Sequence, residues 1–168
     1  MSAKRKSTRA RSSVEGIKVR GFFRVQIEED GKTVGDTGHR LIPNTVVNEG
    51  FQDYLCKLLA GSAGSKTISH VALGTGTAPG ATATSLDGEI MSSTQRKTVS
   101  PSITSSKTLQ FTAAFASSDS FVTAAVTLQN IGLYNTSTAG TLFSGNTYTT
   151  SQLNTNQNVN CTYQVRFS

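Results

Sequence analysis

The chain closes on Asn158-Val-Asn-Cys-Thr-Tyr-Gln-Val-Arg-Phe-Ser168, and the fold class follows from how this stretch alternates. Val159, Cys161, Tyr163, Val165 and Phe167 occupy every second position. A period of two over this length predicts a β-strand with one buried face. Its outward positions Thr162, Gln164 and Ser168 are neutral, and the strand reads as a sheet edge open to pairing.

Upstream segments repeat the pattern. Leu109, Phe111, Ala113 and Phe115 alternate, and so do Val126 and Leu128. The phase then slips by one residue to Ile131 and Leu133, which predicts a β-bulge near Gln129-Asn130. Thr67–Leu73 and Thr141–Ser144 read as further strands. Near the start, Ile17, Val19, Phe23, Val25 and Ile27 alternate, with Gly21 in phase. Asp30-Gly31 is a two-residue hairpin signal. The return strand is expected through Val34 towards Leu41 and Ile42, ended by Pro43.

One helix is predicted over 46–60. Val47, Phe51, Tyr54, Leu55, Leu58 and Leu59 form an apolar stripe at helical spacing, expected to be buried against the sheet. Asn44 or Asn48 can cap its start and Gly61 its end. Gly74–Ser85 reads as a loop and Leu86–Ile90 as one helical turn. Seven to nine strands and one principal helix predict a mainly β fold, an antiparallel β-sandwich.

Charge divides the chain unevenly. Lys4, Arg5, Lys6, Arg9, Arg11, Lys18, Arg20 and Arg24 face only Glu15 in the first 24 residues, a net of +7. The rest carries eight basic and nine acidic residues, a net of −1. From Thr98 to Ser168 the charged residues are Lys107, Asp119 and Arg166. Residues 1–15 are read as a basic extended arm and 16–168 as the sandwich domain. The arm holds too little apolar surface to order itself alone. Lys4, Arg5, Lys6, Arg9, Arg11, Lys18 and Arg20 are the candidate partner-binding residues. They suit phosphates, with a steep salt dependence, or an acidic protein groove. The arm has no aromatic residue for base stacking, and the body adds no second basic patch, so the groove is favoured and nucleic acid is the alternative.

Catalytic and metal-binding patterns are weak. His39 and His70 are the two histidines and lack a second ligand at metal spacing. Asp36 and His39 can pair on a hairpin strand, but no nucleophile elbow accompanies them. Gly74-Thr75-Gly76 lacks the lysine of a phosphate loop. Glu28-Glu29-Asp30 is too small a carboxylate set for calcium and reads as a solvated turn. No cofactor, metal or enzymatic activity is expected. Cys56 and Cys161 are read as small buried apolar residues. No apolar run reaches the ~20 residues of a membrane span, and the basic start lacks the apolar core of a signal peptide. Synthesis and assembly in a reducing cytoplasm are expected.

The order of motifs carries a resemblance. Asn44-Thr-Val-Val-Asn-Glu-Gly50 leads into the leucine-rich helix. Ile68-Ser-His-Val-Ala-Leu-Gly-Thr-Gly-Thr-Ala-Pro79 follows, then Leu86-Asp-Gly-Glu-Ile90 with Arg96 beyond it. Phe111-Thr-Ala-Ala-Phe115, Ile131-Gly-Leu-Tyr-Asn135, Gly140-Thr-Leu-Phe143 and the terminal strand complete the series. Over residues 44–168 this resembles a family of small virion structural proteins of tailed bacteriophages. The resemblance implies a non-enzymatic β-sandwich module on a capsid, tail or fibre. The arm lies outside the shared pattern, and an anchoring extension suits a capsid decoration (cement) protein. The expectation is therefore a virion protein, bound to the major capsid protein or another virion protein through its arm and self-associated as a homo-oligomer, most simply a trimer. The alternatives are a tail, baseplate or fibre protein that binds a host surface, or a coat protein whose arm meets packaged nucleic acid.

Overall fold

The computed structural model describes residues 16–38, 42–90 and 96–168. Ten strands form one antiparallel sheet: β1 (Val19–Glu29), β2 (Lys32–Asp36), β3 (Ile42–Val46), β4 (His70–Gly74), β5 (Lys97–Thr98), β6 (Ser100–Ser105), β7 (Thr108–Phe115), β8 (Val126–Tyr134), β9 (Leu142–Leu153) and β10 (Asn158–Phe167). Their order is β5-β4-β8-β9-β3-β1-β10-β7-β6, with β2 attached to β1. The mainly β, antiparallel expectation therefore holds.

The sheet folds over on itself because two segments serve both halves. Ile42, Pro43 and Asn44 of β3 pair with β1, while Thr45 and Val46 pair with β9. On the other side β5 pairs with β4, Val99 donates to the Ser69 carbonyl at 2.9 Å, and the same run continues as β6 against β7. The result is a nearly closed, two-layered sheet. Pro43 does not end a strand; it lies inside β3, where the strand changes partners and regular ladder bonding is interrupted anyway. Gly21 makes this crossing possible, since a Cβ there would collide with the Asn44 side chain.

The inward positions match the alternation. Phe23, Val25 and Ile27 of β1, Phe111 and Phe115 of β7, and Val159, Cys161, Tyr163 and Val165 of β10 are buried, facing Val71 and Leu73 of β4, Leu128, Ile131 and Leu133 of β8, and Phe143, Tyr148 and Leu153 of β9. Phe23 meets Tyr148 edge-on at 5.7 Å between ring centres. The Tyr163 hydroxyl reaches Ser144 Oγ across the layers at 2.8 Å. The register of β8 on β9 shifts between Leu128 and Asn130, where the phase slip predicts a bulge. Asp30 and Gly31 take φ of 48° and 74° at the hairpin tip, the left-handed pair such a turn requires.

Several expectations need correction. β10 is not an edge: it sits between β1 and β7, so its neutral side is a sheet face. Leu86–Ile90 is a turn pinned by a Gly74–Glu89 bridge rather than a helical turn. β5 and β6 escape the pattern because Ser100–Ser105 has no buried side chain to mark a period. β9 extends far beyond Ser144: in Asn146–Gln152 Tyr148 is the one aromatic residue among polar ones, so no alternation shows. Cys161 is buried, but Cys56 is exposed, and both are free thiols.

The helix departs most. Its Gly50–Cys56 portion has π geometry and runs into an α turn, Lys57–Leu59. No side chain caps its start, while Gly61 at φ 60° does terminate it. A π segment advances more residues per turn than an α-helix, so an α-spaced stripe no longer stays on one face. Val47 and Tyr54 of the predicted stripe do turn inward, together with Gly50. Gly50 passes so close to β9 that a Cβ would overlap the Phe143 carbonyl, and the Tyr54 hydroxyl donates to the Thr141 carbonyl. Phe51, Leu58 and Leu59 are left 41%, 63% and 87% exposed. Leu58→Ala should therefore lower the unfolding free energy, read by urea denaturation, by no more than about 0.5 kcal/mol. Ile131→Ala, at a fully buried site, should cost about 2–5 kcal/mol. Equal losses for the two variants would contradict this placement.

Candidate functional site

The motif residues converge on one network. Glu89 and Arg96 form an ion pair at 2.6 Å with side chains only 10% and 6% exposed. Arg96 Nη2 donates to the second Glu89 oxygen at 3.0 Å, which makes the pair bidentate. Arg96 Nη1 donates to the Ala139 carbonyl, and the guanidinium stacks 3.4 Å above the centre of the Tyr134 ring. The Tyr134 hydroxyl accepts from Leu86 N–H at 2.6 Å and donates to Glu89 at 3.2 Å. Asn130 Nδ2 donates to the Thr77 and Asp87 carbonyls, and Asp87 accepts from the Thr77 amide and hydroxyl. The Gly74–Ser85 loop, the Leu86–Ile90 turn and β8 are thus tied together. The arrangement satisfies most of its polar groups internally; Asn130 Oδ1 is buried without a hydrogen-bond partner.

His70 lies against Ser69 Oγ at 2.7 Å and is half-buried, a satisfied histidine. Burial first, and the Arg96 charge second, hold its pKa below the ordinary value. Asp36 binds Arg24 at 2.5 Å, and His39 lies outside the described residues. Among the described residues no group of three His, Cys, Asp or Glu is placed to hold a metal, and no helix is long and apolar enough to cross a membrane.

The arm residues Lys4, Arg5, Lys6, Arg9 and Arg11 also lie outside the described residues. Lys18 and Arg20 are described, and both are exposed where β1 begins. Arg20 sits opposite Arg166 on β10, and Lys18 exchanges main-chain hydrogen bonds with Ser168. Arg166 lies 4.5 Å above the Phe22 ring and donates to Gln164. The Lys107 carbonyl accepts from Phe167, which brings Lys107 to the same end. Among the described residues, none of Lys18, Arg20, Lys107 and Arg166 has a carboxylate partner. Sequence reading assigned Lys18 and Arg20 to the arm but missed Lys107 and Arg166. The available signal was their isolation in a nearly uncharged half.

An apolar mouth opens at this end. Leu55, Leu58, Leu109, Phe111, Val165 and Phe167 line much of a cavity of about 340 Å³. Ile103, 82% exposed, is the cross-strand partner of Leu109 and extends the apolar face outward. Comparison with family models and with curated proteins finds no match to this chain.

Two outcomes follow for stability. Arg96→Ala strands Glu89 in a nearly dry site and should cost about 3–5 kcal/mol, and Arg96→Lys should recover only part, since lysine lacks the two-pronged geometry. Urea denaturation reads both. Asp53, Asp87 and Asp119 are held below the usual carboxylate range, chiefly by hydrogen bonds from Lys57, the Thr77 amide and Lys97 respectively. Their folded pKa values lie below the unfolded ones, so the stability they add is present above the unfolded value and lost as pH falls through the folded one. The melting temperature should drop on acidification below about pH 4, and Asp87→Asn should flatten that drop. A melting temperature independent of pH in this range would count against these contacts.

Proposed function

We propose that this chain is a non-enzymatic structural protein of a tailed-phage virion: a decoration protein that sits on the capsid, anchored to the major capsid protein through its basic N-terminal segment. The observation that carries this reading is the separation of charge, +7 in the first 24 residues against −1 in the remainder. A body this neutral cannot steer itself to an acidic lattice, whereas a concentrated basic segment can. The polar network around Arg96 supports a structural role for the motifs, because its groups are consumed in holding loops together. Copies of the chain meet on the capsid as a trimer. The outer face of β10 and β7, neutral at Asn160, Thr162, Gln164 and Gln110 and charged only at its Arg166 end, supports such packing, since few charges need desolvation there.

Deletion of residues 2–13 should abolish co-sedimentation with particles while leaving the thermal melt unchanged. Electron microscopy of particles should place the protein on the capsid surface. The label belongs at the Asp30-Gly31 turn, because β10 ends beside the start of β1 and a C-terminal label would crowd the anchor. Full occupancy by the truncated protein would remove the anchor role. A label found only on the tail would favour a host-binding function instead.

A further inference from the structure

We propose that the open end of the sheet is a receptor for a segment of a partner protein that presents apolar side chains flanked by acidic ones. The virion reading supplies only where such a segment comes from; its chemistry rests on the geometry of this end alone.

Three observations converge. The cavity of about 340 Å³ is walled by apolar side chains from the helix, β7 and β10, enough room for one or two large side chains. Its surroundings are also apolar: Leu58, Leu59 and Ile103 project into solvent at 63%, 87% and 82% exposure. Scattered exposed hydrophobes are ordinary, but a group contiguous with an apolar cavity marks a binding surface. Finally, the neighbouring charges are of one sign. Lys18, Arg20, Lys107 and Arg166 gather at this end without carboxylate partners among the described residues, Arg20 and Arg166 on the outer side of the sheet; Lys66 lines the cavity itself, and Asp53 is already occupied by Lys57 and Lys66.

The rest of the charge distribution reinforces this polarity. Glu28, Glu29 and Asp30 lie at the far end of β1, roughly 30 Å away at 3.3 Å per residue. An acidic segment is therefore attracted to the mouth and repelled from the opposite pole. The chain's own first 15 residues are a poor occupant, being basic themselves. Charge complementarity selects an acidic partner, and the cavity requires that partner to carry an apolar anchor.

The test uses the full chain and three synthetic peptides read by fluorescence anisotropy. One peptide carries Leu at helical spacing with Glu between. A second replaces Glu by Lys, and a third replaces Leu by Ser. The first should bind, the other two at least about tenfold more weakly. Leu58→Glu should weaken the first peptide about tenfold without changing the melt, because Leu58 is mostly exposed. Lys18→Glu with Lys107→Glu should weaken it similarly and reduce its salt dependence. Binding should survive deletion of residues 2–13.

Equal binding of the Lys peptide, indifference to Leu58→Glu, or no binding at all would overturn the proposal. Binding that emerges only on removal of residues 2–13 would also overturn it, because the arm would then be the occupant. So would sedimentation showing an oligomer that Leu58→Glu dissociates, because a second copy would then fill the mouth. The assay contains no particles, so its failure leaves the decoration reading standing. Failed co-sedimentation likewise leaves a positive peptide result intact.

Discussion

Backbone hydrogen bonding at the edges of the sheet is the constraint on which the architecture depends. An unpaired strand edge invites association, and most proteins blunt it with lysine or other charges. This body has few charges to spend, above all after Thr98. It covers part of its edge instead by hydrogen bonding through segments that the two layers share. β3 and the β5–β6 run each pair with both layers, so the sheet turns its own corners. These corner segments are short, and the β3 corner requires two local concessions: a glycine at 21 where Asn44 crosses, and a proline inside β3.

The same geometry opens the mouth. Beyond Val99, β6 follows β7, and a cavity lies between the helix and the inner faces of β7 and β10. Aromatic and aliphatic groups of the inner faces then line a cavity at one end. The π segment adds to this by turning the Phe51 and Leu58 side of the helix outward and spending Tyr54 on the Thr141 carbonyl. A cost in exposed apolar area is expected to be offset by function.

At the other side of the core, the buried Glu89–Arg96 pair is weak evidence for stability by itself, since desolvating two charges is costly. Its role is better seen in what it organises. Arg96 caps the Ala139 carbonyl and the Tyr134 ring while Glu89 receives the Tyr134 hydroxyl. One side-chain pair thereby fixes the relation of three segments distant in sequence. Apolar residues of equal volume would fill the space without specifying that arrangement.

Strand alternation was legible wherever one face is buried and the other solvated. That is why β1, β7 and β10, and even the one-residue slip in β8, follow from spacing alone. The charge separation between arm and body is equally a property of the sequence. Other features depended on neighbours. β6 has no buried face and Asn146–Gln152 is polar apart from Tyr148, so neither carries a period. The helical stripe was read at α spacing, and only contact with Phe143 and Thr141 shows which side turns inward. Lys107 and Arg166 are 59 positions apart and join Lys18 and Arg20 only because β10 lies between β1 and β7. Local periodicity thus determined the elements and their faces. Pairing between distant strands decided which edges close, which end stays open and which charges surround it, because those outcomes depend on hydrogen-bond partners that spacing along the chain does not encode.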